Sequence, residues 1–118
     1  MKVTKYVKDW FERGDDDISN AVCFHGQQAA EKYLKGFLAY HEKHVRKIHD
    51  LGVLLDECRK LDHSFESLKE EAGFLAQFYT ESRYPDDYVE FSQTEAQKAL
   101  EAAHRFKKFI LDKIPSGE

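Results

Sequence analysis

The feature that most constrains this chain is its shortage of residues that interrupt a helix. Its 118 residues include only two prolines, Pro85 and Pro115, and six scattered glycines. An all-β sandwich or barrel needs turn residues at short, regular intervals. The sequence therefore favours helices, and at this length it fits one domain spanning residues 1–118.

Apolar residues recur at steps of three and four along the chain, which is the spacing that lines one face of a helix. The first two stripes occupy residues 3–22 and 24–40, and no proline or cluster of turn residues separates them. We expect a break near residues 19–23, because typical globular helices run about 8–20 residues. A single continuous helix is the alternative.

Three further helices are expected after residue 50. Asp50 can cap the third, and a fourth stripe over residues 65–79 predicts a helix that ends near Ser82, because Pro85 prevents simple continuation. The third helix has an inner face formed by Leu51, Leu54, Leu55 and Cys58.

The last helix has the clearest start, because Ser92 followed by Glu95 is a capping box. Its apolar stripe comprises Ala96, Ala99, Leu100, Ala103, Phe106, Ile110 and Ile114. These patterns together predict an all-α antiparallel bundle of about five helices, with a four-helix up-and-down core and one short helix.

Charge and hydropathy limit the classes of function. The formal net charge of −4 argues against a protein that grips nucleic acid by bulk electrostatics, so any RNA contact must be local. No apolar run reaches the length of a membrane span, which predicts a cytoplasmic chain without membrane contact. Residues 31–60 carry seven Lys or Arg against five acids, a pattern typical of a solvated helix face.

Three short segments stand out in order along the chain: FHGQQAAEKYLK at residues 24–35, KIHDL at 47–51 and RYP at 83–85. In this combination they resemble the HEPN family of nucleotide-binding helical domains, over roughly residues 5–112. The resemblance implies a bundle of antiparallel helices and a homodimer. It also implies pairing with a minimal nucleotidyltransferase, in an arrangement similar to a toxin–antitoxin pair.

Some members of that family are metal-independent RNA-cleaving toxins, whose signature is an arginine followed after four to six residues by a histidine. Here Arg83 is followed at that spacing by Tyr88, and the next histidine is His104. A tyrosine of ordinary pKa near 10 would cost roughly 4 kcal/mol to deprotonate at neutral pH. We therefore expect weak or absent catalysis, with Arg83, Tyr88, His25 and His49 as the candidate catalytic residues.

Two sets of residues could contact a nucleotide or RNA. The guanidinium of Arg83 can donate two hydrogen bonds to a phosphate, with Tyr84 beside it. The alternative is an ion pair between Arg83 and a neighbouring carboxylate. The second set follows helical steps in the first two segments: His25, Gln28, Lys32, Lys35 and, in the next segment, His49. It forms either a polar cleft facing an anion or a hydrogen-bond network in which His25 and Gln28 join helices and Glu31 pairs with Lys35.

Other chemistries lack support in the sequence. His41, His44 and His49 have no matching ligands at metal-site spacing, and Cys23 and Cys58 are isolated thiols that we interpret as packing residues. We expect no metal, no cofactor and no DNA-binding motif. The sequence favours a homodimeric nucleotide- or RNA-binding module partnered by a nucleotidyltransferase. The alternatives are an RNA-cleaving toxin centred on Arg83 and a purely structural interaction domain.

Overall fold

A computed structural model describes residues 5–79 and 91–115 of the chain. These residues form four α-helices and one short 3₁₀ helix, and no strand occurs in either range. The elements are α1 (Lys5–Tyr40), α2 (Leu51–Leu61), a 3₁₀ helix (His63–Leu68), α3 (Lys69–Ala76) and α4 (Gln93–Lys113). The predicted all-helical bundle is confirmed.

The predicted break between the first two helices is wrong, because α1 runs without interruption from Lys5 to Tyr40. Nothing in residues 19–23 removes a backbone donor, so the ladder of hydrogen bonds continues through them. Ser19 and Cys23 are both buried, which ties this stretch of the helix to the core. The usual length of globular helices was the weaker constraint.

The predicted fourth helix is divided into two. Asp62 ends α2, and its side chain accepts a hydrogen bond from the Ser64 backbone at 3.0 Å, which starts the 3₁₀ helix. The chain then enters α3, which ends at Ala76. The predicted end near Ser82 is wrong, because the helix has already ended at Ala76 and residues 77–79 are not helical.

Both predicted helix starts are confirmed. The Asp50 carboxylate accepts from Val53 N at 3.2 Å, and Ser92 and Glu95 form the reciprocal capping box that opens α4. The end of α1 was not anticipated. Lys43 N donates to Leu38 O at 2.9 Å, while Glu42 takes a left-handed conformation with φ of 60°.

The core lies between the second half of α1 and the other helices. Its largest fully buried side chains include Phe37, Phe65, Phe78 and Phe106. Helix α4 lies so close to α1 that a Cβ on Gly26 would stand 3.2 Å from the carbonyl oxygen of Ala99. The buried face of α4 departs from the predicted stripe, since Leu100 is 44% exposed and Ala102 is buried.

Both cysteines belong to this core, as predicted. Cys58 Sγ donates to the carbonyl of Leu34 at 3.5 Å, and burial, assisted by nearby Glu57, raises the pKa of this thiol to about 12. Burial also raises the pKa of Cys23, with a smaller contribution from Glu95. Both thiols therefore remain protonated at neutral pH.

The first half of α1 is much more exposed than the second half. None of residues 5–18 is buried, and Trp10 and Phe11 are 52% and 65% exposed. The apolar spacing predicted there is present, but it faces solvent. No described helix combines the length and apolar character that crossing a bilayer would require.

Candidate functional site

A polar cluster crosses the bundle where α1 passes the loop that precedes α2. Helix α1 contributes Gln27, Glu31 and Lys35, which are spaced four residues apart and therefore lie on one face. The loop contributes His49, and the segment after α3 contributes Tyr79. Three separate parts of the chain thus meet at His49.

Glu31 is the only carboxylate of this cluster, and its side chain is only 9% exposed. Its Oε1 accepts from Lys35 Nζ at 2.8 Å and lies 2.8 Å from His49 Nδ1. Burial alone would raise the pKa of Glu31, but the hydrogen bonds and positive charge of Lys35 and His49 lower it below its usual value. Glu31 is therefore ionised at neutral pH.

An ionised carboxylate can only accept hydrogen bonds, which assigns the proton between Glu31 and His49. Nδ1 of His49 must be the donor, so in the neutral ring Nε2 carries the free lone pair. The His49 side chain is 51% exposed. Its imidazole therefore has a fixed orientation and remains accessible to a ligand.

Two further contacts hold His49. Its ring stacks on Tyr79 with centroids 5.0 Å apart and an interplanar angle of 22°. Its backbone carbonyl accepts from Gln27 Nε2 at 3.3 Å. The other amide atom of Gln27, Oε1, is buried without a hydrogen-bond partner in the structure.

An open cavity of about 470 Å³ lies beside this cluster. We call it the polar cleft, and its lining residues are Lys47, Ile48, His49, Asp50, Leu51, Ala76 and Tyr79. The stacked rings offer an aromatic surface. Lys47 adds a positive charge to the lining, beside the Asp50 carboxylate that caps α2. Flat aromatic surfaces bind nucleobases and cations bind phosphates, so the cleft has groups suited to both parts of a nucleotide.

The residues predicted from the sequence are distributed over several places. Lys35 and His49 meet at Glu31, and the predicted Glu31–Lys35 pair is confirmed. Lys32 is exposed, and Gln28 is half-buried on a neighbouring stripe of α1. The hydrogen bond that joins α1 to another part of the chain comes from Gln27, not from Gln28 as predicted.

His25 lies apart from the polar cleft. It is exposed on a largely apolar cavity of about 480 Å³ between α1 and α4, which we call the α1–α4 groove. The groove is lined by Ile18, Ala21, Val22, His25, Gly26, Ala29, Tyr33, Leu100, Ala103, His104 and Lys107. The proposed role of His25 in joining helices is therefore wrong.

Arg83, Tyr84 and Tyr88 lie outside the described residues. The sequence interpretation also missed members of the cluster that the structure describes. The four-residue spacing of Gln27, Glu31 and Lys35 was a usable signal, since it places them on one face. Tyr79 had no such signal, because it contacts His49 only through the fold. In the described ranges, no group of three His, Cys, Asp or Glu side chains is placed to hold a metal ion.

Comparison with known proteins supplies one match. A family model described as HEPN domain matches residues 5–114 of the chain. No curated protein and no solved structure matches it significantly.

Proposed function

This chain belongs to the HEPN domain family, and we propose that it is a homodimeric module that binds a nucleotide or RNA in the polar cleft. Family membership supports a nucleotide- or RNA-related role for the helical bundle. The observation that carries the proposal is the anchoring of His49 by Glu31 at 2.8 Å. A ring held in this way loses little conformational freedom when a ligand stacks on it.

The chemistry of the cleft supports local rather than bulk recognition. The chain has a net charge of −4, so long-range attraction to RNA is weak. Binding must then depend on stacking against the His49 and Tyr79 rings and on a few nearby cations, such as Lys47. Arg83 and Tyr84 complete the proposed binding set, together with the α1 residues Gln28, Lys32 and Lys35. The sequence also suggested His25, but it lies in the α1–α4 groove and is not part of the proposal for the polar cleft.

A calorimetric titration with ATP and with a 12-nucleotide single-stranded RNA tests this function. His49→Ala removes the stacked ring and should weaken binding by about fivefold or more, because stacking contributes about 1–3 kcal/mol per base. His63→Ala is the matched control, since His63 is an exposed histidine at the start of the 3₁₀ helix. Absence of binding, or equal losses in the two variants, would contradict the proposal.

The partner proteins are part of the same proposal. We infer a homodimer and a minimal nucleotidyltransferase as the second component of a toxin–antitoxin-like pair in the cytoplasm. The exposed aromatic face at the start of α1 supports an association surface. The resemblance to HEPN proteins supports the nucleotidyltransferase. Co-expression with the product of a neighbouring nucleotidyltransferase gene, followed by co-purification, tests that partner. Separate elution of the two proteins would contradict the proposed partnership.

A second candidate function is RNA cleavage, and the Glu31–His49 contact is the observation that favours it. In this reaction Nε2 of His49 takes the proton of a ribose 2′-hydroxyl, and the 2′-oxygen attacks the adjacent phosphorus. The bond to the 5′-oxygen breaks, and the proton taken by His49 returns through solvent water to the leaving oxygen, which leaves a 2′,3′-cyclic phosphate and a 5′-hydroxyl. Tyr88 in place of the expected histidine argues against efficient turnover.

Incubation of the purified protein with RNA in the presence of a chelator separates the two functions. A binding module leaves the RNA intact. Cleavage that disappears in both Arg83→Ala and His49→Ala would establish the ribonuclease instead. Cleavage that survives His49→Ala would remove the Glu31–His49 pair from the reaction.

A further inference from the structure

A second cavity, of about 550 Å³, lies where the end of α1 faces α2. We call it the basic pocket, and it is lined by Leu38, Lys43, His44, Arg46, Glu57, Lys60 and Leu61. We propose that the basic pocket binds backbone phosphates of a single-stranded RNA whose bases enter the polar cleft. The inference rests on the proposed function and extends it by assigning a second site and the class of ligand.

The charge of the basic pocket is the first argument. Lys43, Arg46 and Lys60 face a single carboxylate, Glu57, which leaves two net positive charges with His44 neutral. Glu57 is already engaged, because Arg46 NH1 lies 2.9 Å from its Oε1. This concentration of positive charge occurs in a chain whose net charge is −4. Such a local excess of cations attracts a polyanion in a way that the molecule as a whole does not.

Local structure sets the backbone positions of the three cationic residues. Lys43 follows the end of α1, where its backbone nitrogen donates to Leu38 O at 2.9 Å. Arg46 is fixed on the loop by its ion pair with Glu57 of α2, and Lys60 lies in the last turn of α2. In the two described ranges, neither the Lys43 nor the Lys60 ammonium has an ion pair or side-chain hydrogen bond. Both charges are therefore available to a ligand.

The position of the basic pocket favours an RNA strand over a single phosphate. Arg46 lines the basic pocket and the next residue, Lys47, lines the polar cleft. Consecutive Cα atoms are about 3.8 Å apart, so the two cavities flank the same loop. One cavity offers cations and the other offers stacked rings, which matches the phosphates and bases of a single strand.

The test is the affinity of a fluorescein-labelled 12-nucleotide single-stranded RNA, measured by anisotropy over a range of KCl concentrations. The variant Lys43→Gln with Lys60→Gln should bind at least tenfold more weakly in 0.1 M KCl. Its plot of log affinity against log salt should be shallower by about 1.4, because each lost phosphate contact on a single strand reduces the slope by about 0.7.

Lys69→Gln with Lys108→Gln is the matched control, because it removes the same charge from exposed lysines of α3 and α4. Its affinity should stay within twofold of the wild type. Far-ultraviolet circular dichroism establishes that both double variants keep their helices. An equal loss in the two double variants would overturn the inference, since the effect would then reflect net charge alone.

Two further measurements distinguish free phosphate from RNA as the ligand, and the basic pocket from the polar cleft as the RNA site. If inorganic phosphate saturates the basic pocket in an NMR titration while RNA affinity is unchanged in Lys43→Gln with Lys60→Gln, the pocket is not an RNA site. If His49→Ala alone weakens RNA binding, the basic pocket is rejected and the polar cleft stands. If only the basic-pocket variant weakens it, the bases do not enter the polar cleft, which overturns the proposal of one strand across both cavities. Failure of the wild type to bind RNA overturns both.

Discussion

His49 follows Glu31 by 18 residues in the sequence, yet its Nδ1 lies 2.8 Å from Oε1 of that carboxylate. The contact joins the loop before α2 to the middle of α1. Because Lys35 donates to the same oxygen at 2.8 Å, two potential cations converge on one nearly buried acid. The carboxylate therefore contributes to the fold as well as to the polar cleft.

Replacement of Glu31 by glutamine should lower the free energy of unfolding by about 2 kcal/mol at pH 7, because it removes charged hydrogen bonds from a mostly buried position. The folded-state pKa of Glu31 lies below its ordinary value of 4.5. The unfolded chain therefore binds more protons as the pH falls, and the stabilisation present above about pH 4.5 is lost through the folded pKa.

Urea unfolding between pH 3 and pH 7 measures this effect, and the difference between wild type and Glu31→Gln should shrink towards the acidic end. Glu70→Gln is the control, because Glu70 is exposed on α3 and should change stability by less than about 0.5 kcal/mol. A difference that is constant over the whole pH range would show that the charge of Glu31 is not responsible.

Local signals allowed much of the fold to be predicted from the sequence. The caps at Asp50 and Ser92 depend on side chains within three residues of the groups they bind, so the sequence contains the whole interaction. Continuity of α1 was harder to predict, because it depends on an absence of breakers and on the burial of Ser19 and Cys23 by distant parts of the chain.

The candidate site was predictable only where its residues are neighbours on one helix. The Glu31–Lys35 pair follows from four-residue spacing. The stacking of His49 on Tyr79 joins residues 30 positions apart and depends on how α3 packs against the loop. The exposure of Phe11 could not be predicted from the sequence either. An apolar stripe has the same sequence pattern whether it packs on its own core or on a partner.

The contact between α1 and α4 predicts opposite effects for two glycine substitutions. Alanine has a higher helix propensity than glycine by about 1 kcal/mol, so Gly36→Ala, whose Cβ would meet nothing within 4 Å, should stabilise the protein. Gly26→Ala should destabilise it by about 1–2 kcal/mol, because its Cβ would press on the backbone oxygen of Ala99 at 3.2 Å. Thermal unfolding of both variants provides the comparison, and equal stabilisation would mean that the helices can separate without cost.

The end of α1 predicts a stabilising substitution. Glu42 has φ of 60°, a conformation that glycine adopts without strain and other residues adopt at a cost. Glu42→Gly should therefore raise the free energy of unfolding by about 0.5–1 kcal/mol, as measured by urea denaturation. Glu42→Ala removes the same charge but keeps the Cβ, so it should give no comparable gain. A gain of equal size from alanine would attribute the effect to charge.

The exposed first half of α1 predicts how the proposed homodimer packs. If two α1 helices cross antiparallel at Ile18, Phe11 of one protomer faces the partner's His25, and Gly14 faces the partner's Val22. Phe11, Ile18 and His25 are seven residues apart, and Gly14 and Val22 each lie four residues from Ile18. These separations are close to two turns and one turn of a helix, so the five residues share one face. The same pairing brings the apolar α1–α4 groove of each protomer over the aromatic segment of the other.

Light scattering at micromolar concentration should give the wild type a mass of about twice 13.8 kDa, and Phe11→Asp should give a monomer, because an aspartate would be buried without a partner. Leu111→Asp is the matched control, since Leu111 is 49% exposed near the far end of α4 and should leave the dimer intact. Trp10 is the only tryptophan, so its emission should shift to the red when dilution separates the protomers. A monomeric wild type, or equal dissociation by Leu111→Asp, would exclude this face as the interface.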